Sequence, residues 1–111
     1  MIEVFHRKTY SPNILFEEDL EIKLADYEKV AVIDSDYVSD AWHLTQNSDG
    51  SWIKRKEVKV LGNEADYRST SIGDVFAVNG QLEVVLPDGY QVFQWGDRID
   101  FYPKFSKKQN D

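Results

Sequence analysis

The chain contains no cysteine. Disulfides and thiolate-held metal sites are therefore excluded, and a reducing compartment fits. Proline is scarce, at three residues in 111, and no low-complexity segment or internal repeat is present. No hydrophobic window approaches the length of a membrane span. The first six residues, Met1-Ile2-Glu3-Val4-Phe5-His6, carry charge within three positions and lack the apolar core of a signal peptide. These absences lead to the expectation of a cytoplasmic protein without a membrane partner.

Positive charge is also short, with 13 basic residues against 20 acidic ones and a net charge of −7. Such a balance favours solubility and opposes broad nucleic-acid contact. A mimic of DNA would display carboxylates with a phosphate-like spacing. Here the acids are scattered among Lys and Arg, which argues against mimicry.

Aromatic residues are plentiful at 14%, and each ring brings a large buried area to a short chain. A length of 111 residues fits one domain. The expected organisation is a single α+β domain over 1–105 and a flexible polar tail over 106–111.

Ile2, Val4 and His6 alternate with Glu3 and Phe5, which predicts a first strand. Residues 7–13 hold Thr9, Ser11, Pro12 and Asn13 and predict a loop. Residues 14–24 fit neither period cleanly, since Leu20, Ile22 and Leu24 alternate while Phe16, Leu20 and Leu24 recur every four. Tyr27 to Asp34 predicts a strand rich in β-branched residues. Asp34, Ser35 and Asp36 are candidate helix caps. Val38, Ala41, Trp42 and Thr45 predict an amphipathic helix over 37–46, with Trp42 as the plug of the core.

Glu57 to Leu61 predicts another strand, broken by Gly62-Asn63. The strongest β pattern follows Arg68-Ser69-Thr70-Ser71-Ile72-Gly73-Asp74-Val75. Val75 to Val78 and Leu82 to Leu86 flank Asn79-Gly80, the dipeptide of a type I′ hairpin. Pro87-Asp88-Gly89 predicts a second turn, followed by strands over 90–95 and 98–102 and by Pro103. The predicted fold is α+β: one amphipathic helix packed on a small, curved, mainly antiparallel sheet or partial barrel.

Candidate chemistry is thin. A nucleophilic site would combine Ser69 or Ser71 with His6 or His43, and no motif joins them. Asp34, Asp36 and Asp40 lie close in sequence, but capping explains them without a metal. No phosphate loop or dinucleotide fingerprint is present. Lys54, Arg55 and Lys56 beside Trp52 form a small basic cluster able to touch phosphate and stack a base. No enzyme activity, cofactor or metal is expected.

Two stretches carry a resemblance. One runs from Tyr27-Glu28-Lys29-Val30-Ala31 through Ala41-Trp42-His43-Leu44-Thr45-Gln46-Asn47 to Trp52. The other is Arg68 to Val75, followed by Gly80 and Gly89-Tyr90. This order resembles a group of small uncharacterised proteins of bacteriophages and other mobile elements, which share an Arg-Ser-x-Ser-Val-Gly-Asp-Val segment. Ile72 stands where that segment has Val. The resemblance implies a phage or mobile-element accessory protein in the host cytoplasm, and no reaction.

The expected role is a non-enzymatic module that binds a host or phage protein. In the Arg68 to Val75 segment, Ile72 and Val75 suit the core, Gly73 a turn, and Asp74 or Ser71 the turn's free amides. Arg68 is left over: it can stack on Trp52, pair with an acid or face a partner. The predicted partner-binding residues are Arg68, Ser69, Trp52, Gln46 and Asn47. The alternative is a nucleic-acid role, through acidic mimicry or through Trp52 with Lys54 to Lys56.

Overall fold

Short runs of β-branched and aromatic residues, separated by turn-formers, become eight strands in the computed structural model, which describes residues 1–62 and 66–102. The expected polar tail and the closing Pro103 lie outside the described residues, as do Asn63 and the two residues after it. The strands are β1 (Ile2–Arg7), β2 (Leu20–Glu21), β3 (Tyr27–Ile33), β4 (Val58–Val60), β5 (Val75–Val78), β6 (Gln81–Leu86), β7 (Gly89–Val92) and β8 (Arg98–Ile99). Six of them form one sheet in the order β4-β3-β1-β5-β6-β7, with β4 and β7 at its ends. Every pairing in it is antiparallel. β2 and β8 pair separately. The α+β, mainly antiparallel architecture is thus as expected.

The sheet is covered on both faces. Val75, Phe76 and Ala77 in β5 are all buried, and they alternate between two cores. Phe76 joins Ile2, Val4, Ile33 and Trp52 on the side of the helix. Val75 and Ala77 join Phe5, Ile22, Phe93 and Phe101 on the other. A strand buried on both faces reads as a continuous apolar run, which is why β5 lacks alternation.

The second cover is built from residues 14–24 and 93–101, which the periodicity leaves undefined. Ser11 Oγ accepts the Asn13 N–H, and Pro12 starts a 3₁₀ turn over Pro12–Phe16. Only Ile14 and Ile22 of this region are buried, whereas Phe16 is 74% exposed and Leu24 53%. Between Ile14 and Ile22 no residue is buried, so the stretch shows neither a helical nor a strand burial pattern. Ile22 is instead held by backbone bonds with Asp97 and Gly96.

A β-bulge explains an irregularity in β3. Val4 pairs with Ala31, but Phe5 pairs with Lys29. Val30 is the extra residue, so Val30 and Ala31 both enter the helix-side core. At the β5–β6 turn, Asn79 and Gly80 have φ of 49° and 88°. Both central positions are left-handed, as a type I′ hairpin requires.

The helix α1 (Val38–Leu44) is shorter than predicted. Ala41 is its fully buried residue, and Trp42 is only half-buried. The predicted plug is therefore not Trp42. A small residue at the inward position brings the helix close to the sheet, and the core indole is Trp52, delivered by the following turn. Capping also differs. Ser35 Oγ accepts the Tyr37 N–H at 3.1 Å and donates to Asp40. Asp36 instead accepts from the Met1 amino group and from Asn79 Nδ2, each at 3.1 Å.

Candidate functional site

The Arg68 to Val75 segment enters β5 through a turn closed by the Asp74 N–H bonding to the Ser71 carbonyl. Gly73 has φ of 93°, and a Cβ there would lie 2.3 Å from Ile14 Cδ1. The left-handed backbone favours glycine, and any side chain there would also have to displace the Ile14 methyl. The Tyr27 hydroxyl donates to the Gly73 carbonyl and ties the turn to β3.

Asp74 is 1% exposed, yet its carboxylate has four donors. Oδ1 accepts the Arg7 N–H at 2.8 Å and Arg68 Nη2 at 2.9 Å. Oδ2 accepts the Ser71 N–H at 2.8 Å and Arg68 Nη1 at 2.6 Å. The guanidinium–carboxylate fork is bidentate, the strongest common form of this pair. Arg68 also donates to the carbonyls of Ser69 and Arg7, and it stacks 5.0 Å from the Tyr10 ring centroid. The acid pair open to Arg68 is formed, and its aromatic neighbour is Tyr10.

The five predicted partner-binding residues do come together. Trp52 Nε1 donates to the Arg68 carbonyl at 2.9 Å. Ser69 Oγ accepts the Asn47 N–H at 2.8 Å. Asn47 Nδ2 donates to the Tyr67 carbonyl, and its Oδ1 accepts the Trp52 N–H. Gln46 Nε2 donates to the Thr70 carbonyl at 3.1 Å. These bonds strap residues 67–70 to the turn after α1. Their polar groups serve that strap.

Trp52 requires a correction. It is 0% exposed, so its ring presents no surface to a protein or to a base. The neighbouring basic cluster is divided as well: Arg55 donates to the Gln46 carbonyl, while Lys54 and Lys56 are exposed.

His6, a candidate base by residue type, is a buried group of the helix-side face. Its alternation with Ile2 and Val4 was the available signal, since it places the ring on an inward face. It is 4% exposed, and its Nε2 lies 2.8 Å from Thr70 Oγ1. Trp52 and Tyr67 flank the ring, with centroids at 5.9 and 6.3 Å. The same Nε2 faces Asp74 Oδ2 at 4.0 Å. A base in a nucleophilic relay uses one nitrogen for the nucleophile and the other for the orienting acid. Here both neighbours lie on one nitrogen, and Thr70 is 2% exposed. His43, the other candidate base, is exposed on α1. The cluster braces the fold.

Burial lowers the His6 pKa from 6.5 to about 4, against a smaller opposing effect of Asp74. The unfolded chain therefore binds the proton more readily between these values. Stability is expected to be complete above pH 6.5 and to fall by about 3 kcal/mol as the pH drops towards 4. Urea unfolding across this range checks it, and a His6→Gln variant should lose this part of the slope.

Two accessible grooves lie elsewhere, beside β7. One of about 240 Å³ is walled by Trp42, Ile72, Leu86, Pro87 and Tyr90. The other, wider and about 1060 Å³, is lined by residues including Leu82, Val92, Phe93, Trp95 and Asp97. Tyr90 is half-buried, and burial together with Glu83 raises its hydroxyl pKa. The smaller groove was not legible from spacing, because it joins Trp42 to residues of the C-terminal strands.

Fold and site together define an α+β domain with a two-sided sheet, an internally satisfied polar centre and an apolar groove at one sheet end. No family model, curated protein or solved structure matches this chain. Among the described residues, no helix is long and apolar enough to cross a membrane.

Proposed function

We propose that this chain is a non-enzymatic protein-binding module, an accessory protein of a phage or mobile element that acts on a host or phage protein in the host cytoplasm. The observation that carries this reading is the groove between Trp42 and Tyr90. Partly exposed Trp and Tyr rings beside a concave apolar surface are the residue types that dominate binding hot spots. Ile72 forms part of the groove wall and belongs to the Arg68 to Val75 segment. The Arg68–Asp74 brace would thus serve binding indirectly, by holding that wall. The proposal includes a sheet curved towards a partial barrel, which the bulge at Val30 supports because bulges bend a strand and increase its twist.

Affinity capture from lysate of the cell carrying the gene tests the reading. Wild-type protein is expected to retain one partner reproducibly. Trp42→Ala should weaken capture by about tenfold or more, in line with loss of a hot-spot ring. Its circular dichroism should stay native, since Trp42 is only half-buried. Equal capture by wild type and Trp42→Ala, or no capture by either, counts against it.

A further inference from the structure

We propose that the outer edge of β7, which no strand pairs among the described residues, accepts an extended basic strand of another protein, adding a seventh strand to the main sheet. This deepens the protein-binding reading and rests on it. The Phe93 N–H donates to the Leu82 carbonyl at 3.1 Å. The register continues through Gln91 with Val84 and Gly89 with Leu86. Hydrogen-bonded positions alternate along an antiparallel ladder. Gly89, Gln91 and Phe93 therefore turn their backbone groups towards β6, and Tyr90 and Val92 turn theirs outward.

Outward N–H and C=O groups on an edge strand are a template for another strand. Edges are usually blunted by proline, by charge or by a bulge. The sequence Gly-Tyr-Gln-Val has no proline and no charge, and its register with β6 is unbroken. Val92 is 56% exposed. An added strand would send successive side chains to opposite faces. The Trp42–Tyr90 groove receives one set, and the groove at Phe93 and Trp95 receives the other.

Charge selects the occupant. Glu83 stands opposite Val92, Asp88 precedes Gly89 in the hairpin turn, and Asp97 lines the wider groove. Among the described residues, none of the three is in an ion pair. Arg98, a cation that lines a pocket with Gln91, is held by Asp19 at 3.0 Å. A second copy would set these carboxylates against themselves, in a chain with net charge −7. Like charges across a strand pair are unfavourable, whereas Lys or Arg on an incoming strand is complementary.

The test uses the full chain and two capped hexapeptides, one alternating lysine with valine and the other glutamate with valine. Amide hydrogen exchange is followed by NMR. The lysine peptide should slow exchange at Tyr90 and Val92 by about tenfold relative to the glutamate peptide, as several modest charge contacts add up. Added salt should reduce the difference. Val92→Pro removes an outward N–H without removing a bond to β6, and should abolish the protection at Tyr90. Val92→Lys keeps the backbone intact and adds a repelling charge, and should weaken it as well.

No protection by the lysine peptide at millimolar concentration overturns the proposal, as does equal protection by both peptides. Protection that rises with protein concentration in the absence of peptide assigns the edge to a second copy and also overturns it. Partner capture that survives Val92→Pro and Val92→Lys but not Trp42→Ala removes the edge proposal and leaves the binding module standing. Capture unaffected by Trp42→Ala removes the module reading itself.

Discussion

Asp74→Ala is expected to destabilise the fold by about 3–5 kcal/mol, the usual consequence of breaking a buried charge pair from one side. The mechanism has two parts. The N–H groups of Arg7 and Ser71 lose their acceptor. The Arg68 guanidinium keeps only its bonds to the carbonyls of Ser69 and Arg7. Urea unfolding measures the loss. Asp74→Asn should fall between wild type and alanine, because one amide oxygen replaces two carboxylate oxygens. Arg68→Ala should cost less than Asp74→Ala, since the Arg68 side chain is 28% exposed and the carboxylate would keep both backbone donors. The double variant should be less damaging than the two single losses added together, with a coupling of about 1–3 kcal/mol. An Asp74→Ala midpoint within experimental error of wild type would remove the brace from the account.

Trp52→Ala should cost a similar amount, about 3–5 kcal/mol, as for other large aromatic residues truncated in a core. The indole is 0% exposed and packs among Val4, Ala41 and Phe76. Its loss opens a cavity beneath α1 and leaves the Arg68 carbonyl without its indole donor. Trp52→Phe restores most of the volume but not that bond, and should recover part of the stability. The contrast with Trp42 is the informative measurement. Trp42→Ala should change binding more than stability, and Trp52→Ala the reverse. A Trp52→Ala protein as stable as wild type would contradict the placement of this ring in the core.

Several elements are legible in the amino-acid sequence because local chemistry suffices for them. Asn79-Gly80 demands a left-handed turn whatever surrounds it. Ile2, Val4 and His6 alternate on β1 because one face of that strand meets the helix-side core. Residues 14–24 are not legible in this way, since Ile14 and Ile22 are buried by contacts with residues from distant parts of the chain, including Phe5, Phe93 and Phe101. The candidate site divides similarly. Spacing and resemblance single out Arg68, Ser69, Trp52, Gln46 and Asn47, and they do meet. Nothing in their spacing shows that their polar groups are consumed by one another.

The amino-acid sequence alone determined the class of fold, the turns and the absence of disulfides, because propensity, periodicity and turn chemistry act over a few residues. It also marked Arg68 to Val75 as special. Only the tertiary structure decided why. A buried carboxylate at Asp74 must collect donors from Arg7, Arg68 and Ser71, and Arg7 is remote in sequence. Tertiary packing also chose Trp52 over Trp42 for the core and left β7 at the end of the sheet. Such choices depend on which distant surfaces exclude water from each other, and no local pattern records that.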